Sequence, residues 1–424
     1  MKCSFSNAVL VAFLLASCGI DKPVQSSVLA APENETGSAF GALDDFPTKS
    51  PAEAGVDLAV LEKIVAGARE SDSTALVVVK DGHLLGEWYF GEEQGLIEAM
   101  SATKSIVSLA IGLLIDDGKI ASLDTPVHIF FPEWSDGPKR KITVRHLLAH
   151  SSGLECKPTT EDIYQSDDFV RFGLDAKVEK EPLEQIFYNN RAFNILTGVV
   201  EKASGRRMDE FLKARLFDPI GISGTSWTLD KAGNPHAMSG LQIRPLDLAK
   251  IGQLMIDRGV WRGKRIVSEE WVTQSTAPAA QKFPRLGLGW WLIIDIKMTI
   301  DESVIATWRE AGVDEAFIQK VMPLKDRLFS HDEFFEEAEK IFGGKEGLET
   351  WYDNTWRRGL PDGKIVEKKV IGYYADGYLG QYLIVVPGKR IVVVRMRREP
   401  SATGNNEDEE KNGFQDILKL TRRL

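Results

Sequence analysis

Ser101, Ala102, Thr103 and Lys104 form an S-x-x-K, the only one in 424 residues. Positions three apart on a helix share a face, so this hydroxyl and this amine can meet. Ser101 opens a stretch whose residues Ile106 to Ile115 are apolar nearly all round, which predicts a buried helix over about 101–117. A lysine turned into such surroundings loses solvation, and its pKa falls toward that of a useful base. The free N–H groups of the first turn favour developing negative charge. That is a route to an activated serine. A capping serine followed by a surface lysine would use the same letters.

Two further segments could serve such a serine. Tyr188-Asn189-Asn190 is a Y-x-N on the loop before a helical stretch at 192–203. A phenol beside an ammonium gives up its proton more easily and can shuttle protons to a leaving group, and the Asn190 amide can hold a substrate carbonyl. Tyr352-Asp353-Asn354 matches the same pattern but sits in a charged segment beside Trp351 and Trp356, where it reads as packing. Ala375-Asp376-Gly377-Tyr378-Leu379-Gly380-Gln381 lies at the edge of a strand signal. Its glycines permit close backbone approach to a ligand, and an N–H there could join the Ser101 N–H as an oxyanion site. From that segment by itself a plain tight turn is the favoured reading. His146 and His150, four apart, could hold a metal, but no third ligand and no H-E-x-x-H accompanies them, so no metal site is expected.

The elements that would position these residues follow from periodicity. Helical spacing covers 57–70. Two β-rich runs, 75–80 and 83–90, flank Asp81-Gly82, which predicts a hairpin. From 120 to about 285 the signal is mostly helical, with stretches at 144–150, 208–216, 246–258 and 268–275. Strand signals resume at 288–294, 367–374, 381–386 and 390–396, and a helix at about 413–420 closes the chain. The economical arrangement is an α/β (α+β) fold: one antiparallel sheet from both chain ends, flanked by helices, with an inserted, mostly helical domain. The expected division is 51–120 plus 285–424 for the sheet domain and 121–284 for the helical domain. A charged helical insertion at 297–365 completes it, read as a lid over the site or as a peripheral decoration.

Composition narrows the function classes. With 52 Lys and Arg against 62 Asp and Glu, the net charge is −10, and no basic run exists. Nucleic-acid partners are therefore not expected. Met1-Lys2 followed by the apolar run Ala8–Ala16 and then Leu15-Ala16-Ser17-Cys18-Gly19 matches an export signal, too short to span a bilayer. It is similar to the bacterial lipoprotein signal, which implies residues 1–17 as signal peptide and Cys18 as the lipidated first residue of the mature chain. Residues 18–50, rich in Ser, Ala, Pro and acids, read as a flexible tether. The expected location is the bacterial cell envelope, with the membrane as a partner through the lipid.

Taken together, the three segments resemble the serine β-lactamase and penicillin-binding-protein superfamily, in its class C β-lactamase-like branch of esterases, D-aminopeptidases, DD-peptidases and nylon-oligomer hydrolases. Ile142–Leu154, Phe187–Gly198 and Ser239–Lys250 strengthen the likeness, which covers about residues 50–295 and 367–400. The resemblance implies Ser101 as acylated nucleophile, Lys104 as its base and Tyr188 as a second acid/base. It implies Asn190, Gly377, Leu379 and Gly380 as substrate-binding residues, and no cofactor. One departure matters: the family's third motif carries Lys-Thr/Ser-Gly, which holds a substrate carboxylate, and Asp376-Gly377 stands here instead. That favours esters or amides lacking the anion. The expected function is a serine hydrolase acting on a small ester, amide or peptide. A penicillin-binding DD-peptidase or β-lactamase, and a non-catalytic lipoprotein that binds cell-wall fragments or a partner, are the alternatives.

Overall fold

The computed structural model describes residues 45–424 except 92–93, 281–282, 345 and 399–415. The export signal, the expected lipidation at Cys18 and the tether up to residue 44 lie outside the described residues.

Seven antiparallel strands form the central sheet: β1 (Ala75–Lys80), β2 (His83–Tyr89), β3 (Trp291–Thr299), β4 (Phe329–Ser330), β5 (Lys364–Gly377), β6 (Gln381–Val386) and β7 (Ile391–Met396), in the order β2-β1-β7-β6-β5-β3-β4. N-terminal and C-terminal strands meet in the β1–β7 pairing, Ala75 opposite Met396 and Lys80 opposite Ile391. The β1–β2 hairpin turns on Asp81 and Gly82, both with positive φ, as a two-residue turn matching the strand twist requires.

Both faces of the sheet are covered, which is why Ala75–Val79 of β1 and Ile391–Val394 of β7 read as unbroken apolar runs. Four helices do most of the covering: α1 (Leu58–Glu70), α2 (Thr103–Asp116), α3 (Pro245–Ile256) and α4 (Ile417–Thr421). Val77, Val79, Val392, Val394 and Leu383 face α2 and α3 in the larger core. Leu76, Val78, Val393 and Ile384 face α1 and α4 in the smaller one. Buried apolar area of this extent is the main stabilising term.

Several boundaries differ from expectation. Residues 45–50 are not tether: Phe46 is buried in the larger core, and the Leu84 N–H donates to Pro47 O at 2.8 Å. The 246–258 helix, expected in the helical domain, is α3 and lies on the sheet. A Cβ at Gly252 would come within 2.5 Å of Val392, so the contact is as close as glycine allows. β3 and β5 run on to Thr299 and Lys364, because the two strands continue as a ribbon beyond the sheet. The stretches added to the expected strands, 295–299 and 364–366, carry Asp295, Lys297 and Lys364, charges that cut the strand signal short.

The insertion leaves and rejoins the sheet at that far end. It has its own core of Trp308, Phe317, Phe334 and Trp351, with Tyr352 packed against it. Its helix His331–Phe342 is tied to the C-terminus by ion pairs from Arg422 to Asp332 and from Lys419 and Arg423 to Glu336. At about 3.3 Å per residue, Lys364 lies ~40 Å along β5 from Asp376. Replacing 301–363 by a short turn is therefore expected to leave turnover and substrate range unchanged. A loss of about tenfold or more in kcat/KM of the folded variant would restore the lid reading.

Candidate active site

Ser101 sits in a one-turn 3-10 segment, Met100–Ala102, that leads directly into α2. Met100, the residue before it, has φ of 47°, a left-handed conformation uncommon for a residue with a side chain. The strained turn is held from both sides. The preceding strand Ile97–Glu98 pairs with Leu241–Ile243, and the Ala99 N–H donates to Leu241 O at 2.8 Å. On the other side α2 is buried from Thr103 to Leu114.

Helical spacing brings Lys104 back beneath the serine, with Nζ 3.1 Å from Ser101 Oγ. Lys104 is only 3% exposed. Nζ also donates to Met238 O at 2.7 Å. That carbonyl is itself placed, because the Met238 N–H donates to Asn194 Oδ1 at 3.0 Å. The amine lies 4.8 Å from the centre of the Tyr188 ring and 5.7 Å from that of Phe193. Burial drives the Lys104 pKa well below the ordinary lysine value, and the Asp376 carboxylate opposes the shift.

Tyr188 lies on the loop before the short helix Asn190–Phe193. His150 stacks on one side of it, at 4.5 Å between ring centres, and Trp291 at 6.2 Å. Burial raises its phenol to about 12, and the hydrogen bond it shares with Ser101 works in the opposite direction. This reverses the expectation that a neighbouring ammonium would ease its proton off. With Lys104 desolvated, burial is the larger effect, and Tyr188 keeps its proton as an acid.

The third segment also arrives at the serine. Gly377 ends β5 so close to the Ser101 turn that a Cβ there would stand 2.6 Å from Ala99 O and 3.1 Å from the Ala102 amide nitrogen. Gly380 has φ of 75°, and Leu379 has φ of 67° despite its side chain. Asp376 is half-buried, and burial raises its carboxyl to about 6.

Asn190 is placed differently. It opens its helix beside Cys156, Asp162 and Arg191, lining a small depression, and its buried Oδ1 has no hydrogen-bond partner among the described residues. Asn189 is structural: it caps the helix through the Ala192 N–H and donates to Leu154 O. The two histidines do not share a helix face. His146 caps the start of the helix Val144–Leu148, whereas His150 lies beyond its end with φ of 52° and accepts the Asn189 N–H at 3.1 Å. Burial and the Lys104 charge lower His150 to about 3, so it stays neutral. Met238 O, Asn194 and Asp376 complete the site. The first acts through its backbone, which side-chain patterns cannot reveal.

Comparison with known proteins identifies the family. A family model described as Beta-lactamase matches residues 61–293. The 6-aminohexanoate-dimer hydrolase of Paenarthrobacter ureafaciens is 24% identical over 237 residues, 50% of this chain and 59% of that protein. Esterase EstB of Burkholderia gladioli is 30% identical over 149 residues, 31% of this chain and 38% of that protein. The matched stretches thus span about half or less of those relatives. A penicillin-binding protein structure from Bacillus halodurans superposes with a TM-score of 0.52 at 16% identity, covering 82% of this chain and 97% of the other. With more than half of its length matched by the family model, the chain belongs to the beta-lactamase family, within the serine β-lactamase and penicillin-binding-protein superfamily.

Proposed function

We propose that the protein is a serine hydrolase that forms an acyl-enzyme on Ser101 and acts on a small ester, amide or peptide. The observation that carries this reading is the buried Lys104 amine 3.1 Å from Ser101 Oγ. As a neutral amine, Lys104 donates one N–H to Met238 O and keeps its lone pair for the serine proton. Oγ attacks the substrate carbonyl carbon as its proton passes to Nζ. The Tyr188 phenol protonates the departing oxygen or nitrogen, and Lys104 then returns the proton to Tyr188. A water repeats the sequence on the acyl-enzyme, releasing the acid and restoring Ser101.

Hydrolase and esterase names among the relatives support the class. The third motif bears on substrate. The segment Asp376–Gly380 has no lysine and carries a desolvated carboxyl at Asp376, so a substrate carboxylate there meets no counter-charge. Esters and amides without that anion are favoured over β-lactams and cell-wall peptides. The export signal and Cys18 make the proposed setting the cell envelope, with a lipid anchor.

A fluorophosphonate probe tests the reading. Intact mass and peptide mapping of the membrane-extracted chain should show one adduct, on Ser101. The same spectrum should show a mature chain that begins at an acylated Cys18. No adduct, or one on another residue, would sink the mechanism and favour the binding-protein alternative. An unmodified Cys18 would remove the anchor.

A further inference from the structure

The turn between β5 and β6 carries the amides that would complete an oxyanion site, yet it holds a left-handed leucine and only three residues, Tyr378–Gly380. Something must hold it. Arg395, the penultimate residue of β7, is fully buried beneath it. Its Nη1 donates to both Leu379 O at 2.7 Å and Gly380 O at 2.8 Å. The rest of the guanidinium is anchored at the end of α1: Nε donates to Ser73 Oγ at 2.7 Å and Nη2 to Ser71 O at 2.7 Å. Ser71 is the C-terminal cap of α1, where the helix presents the negative end of its dipole to the cation. The neighbouring Gln381 is buried as well, and its Oε1 accepts the Arg397 N–H at 2.9 Å.

A peptide unit is planar and trans, so its N–H points opposite to its C=O. By drawing the Leu379 carbonyl inward, Arg395 aims the Gly380 N–H outward, away from the guanidinium. Nη1 takes both carbonyls while Nε and Nη2 reach back to Ser73 and Ser71, a span of separately placed donors that a single lysine ammonium cannot supply.

We propose that Arg395 is a positioning residue for the reaction at Ser101. It holds the Leu379–Gly380 turn so that its amide donors meet the oxyanion of the tetrahedral intermediate. This rests on the acyl-enzyme reading above.

The test uses the full chain with Arg395→Met, Arg395→Lys and Ser73→Ala, an aryl ester and a boronic acid that forms a tetrahedral adduct on the serine. Arg395→Met is expected to lower kcat about 10–100-fold with KM changed less than about twofold, the size of loss that misplaced oxyanion donors produce. The boronate Ki should rise in proportion, and Arg395→Lys should fall between Met and wild type. Ser73→Ala, which removes only one acceptor, should show the same pattern at about 3–10-fold. It decides the matter if Arg395→Met does not fold. A lowered Tm with kcat and boronate affinity unchanged in the folded variants would overturn the proposal and leave Arg395 purely structural. No boronate adduct and no turnover in wild type would instead be a failure of the Ser101 reading itself, and the proposal would fall with it.

Discussion

Replacing Ser101 by Ala is expected to take turnover of a simple aryl ester to buffer background, a loss on the order of 10⁴-fold or more. The reason is that Ser101 Oγ is the hydroxyl against the buried amine, within hydrogen-bonding reach of the Tyr188 phenol and next to the close-packed end of β5. The fold should survive. Ser101 is half-buried, and Lys104 keeps its bond to Met238 O when the hydroxyl is lost. Tm should therefore stay near wild type, which separates loss of chemistry from loss of structure. Retained turnover in a variant of unchanged Tm would place the nucleophile elsewhere.

The second large effect belongs to the base. Lys104→Met keeps the volume of the side chain and removes the proton acceptor, and a loss on the order of 10²–10⁴-fold in kcat/KM is expected. The pH profile gives a sharper reading. Burial depresses the Lys104 pKa in the folded protein, so the amine loses its proton at a lower pH than a free lysine does. In the proposed mechanism the neutral amine is the active form. Activity should thus rise with pH and reach its plateau well below the ordinary lysine value. His150, held near 3, and Tyr188, near 12, contribute no limb in the neutral range. Asp376, near 6, does: its ionisation raises Lys104 and broadens the limb. The Met variant should lose this limb. A wild-type limb centred where free lysine titrates would contradict the desolvation argument.

What the sequence determined by itself is the short-range part. The S-x-x-K spacing sets Ser101 and Lys104 on one helical face, the apolar run buries that face, and Asp81-Gly82 closes a hairpin, because each depends on neighbours within a few residues. The sheet from both chain ends was likewise legible, since strand signals stood at both ends with helical periodicity between. Where charge interrupted the pattern, legibility failed: the far end of the β3–β5 ribbon went unread beside Asp295, Lys297 and Lys364, and Phe46 was lost in a polar segment. Tertiary structure alone decided the rest. It supplied the Met238 carbonyl, 134 residues from Lys104, as the amine's second partner. It turned Tyr188 from an eased phenol into a retained acid, because desolvation sums over every surrounding atom rather than over a motif. It also placed Arg395 under the Leu379–Gly380 turn, a contact across strands whose letters carry no mark of it. Spacing along the chain fixes which side chains can meet within an element, whereas backbone acceptors, burial and cross-strand partners exist only once distant segments have packed.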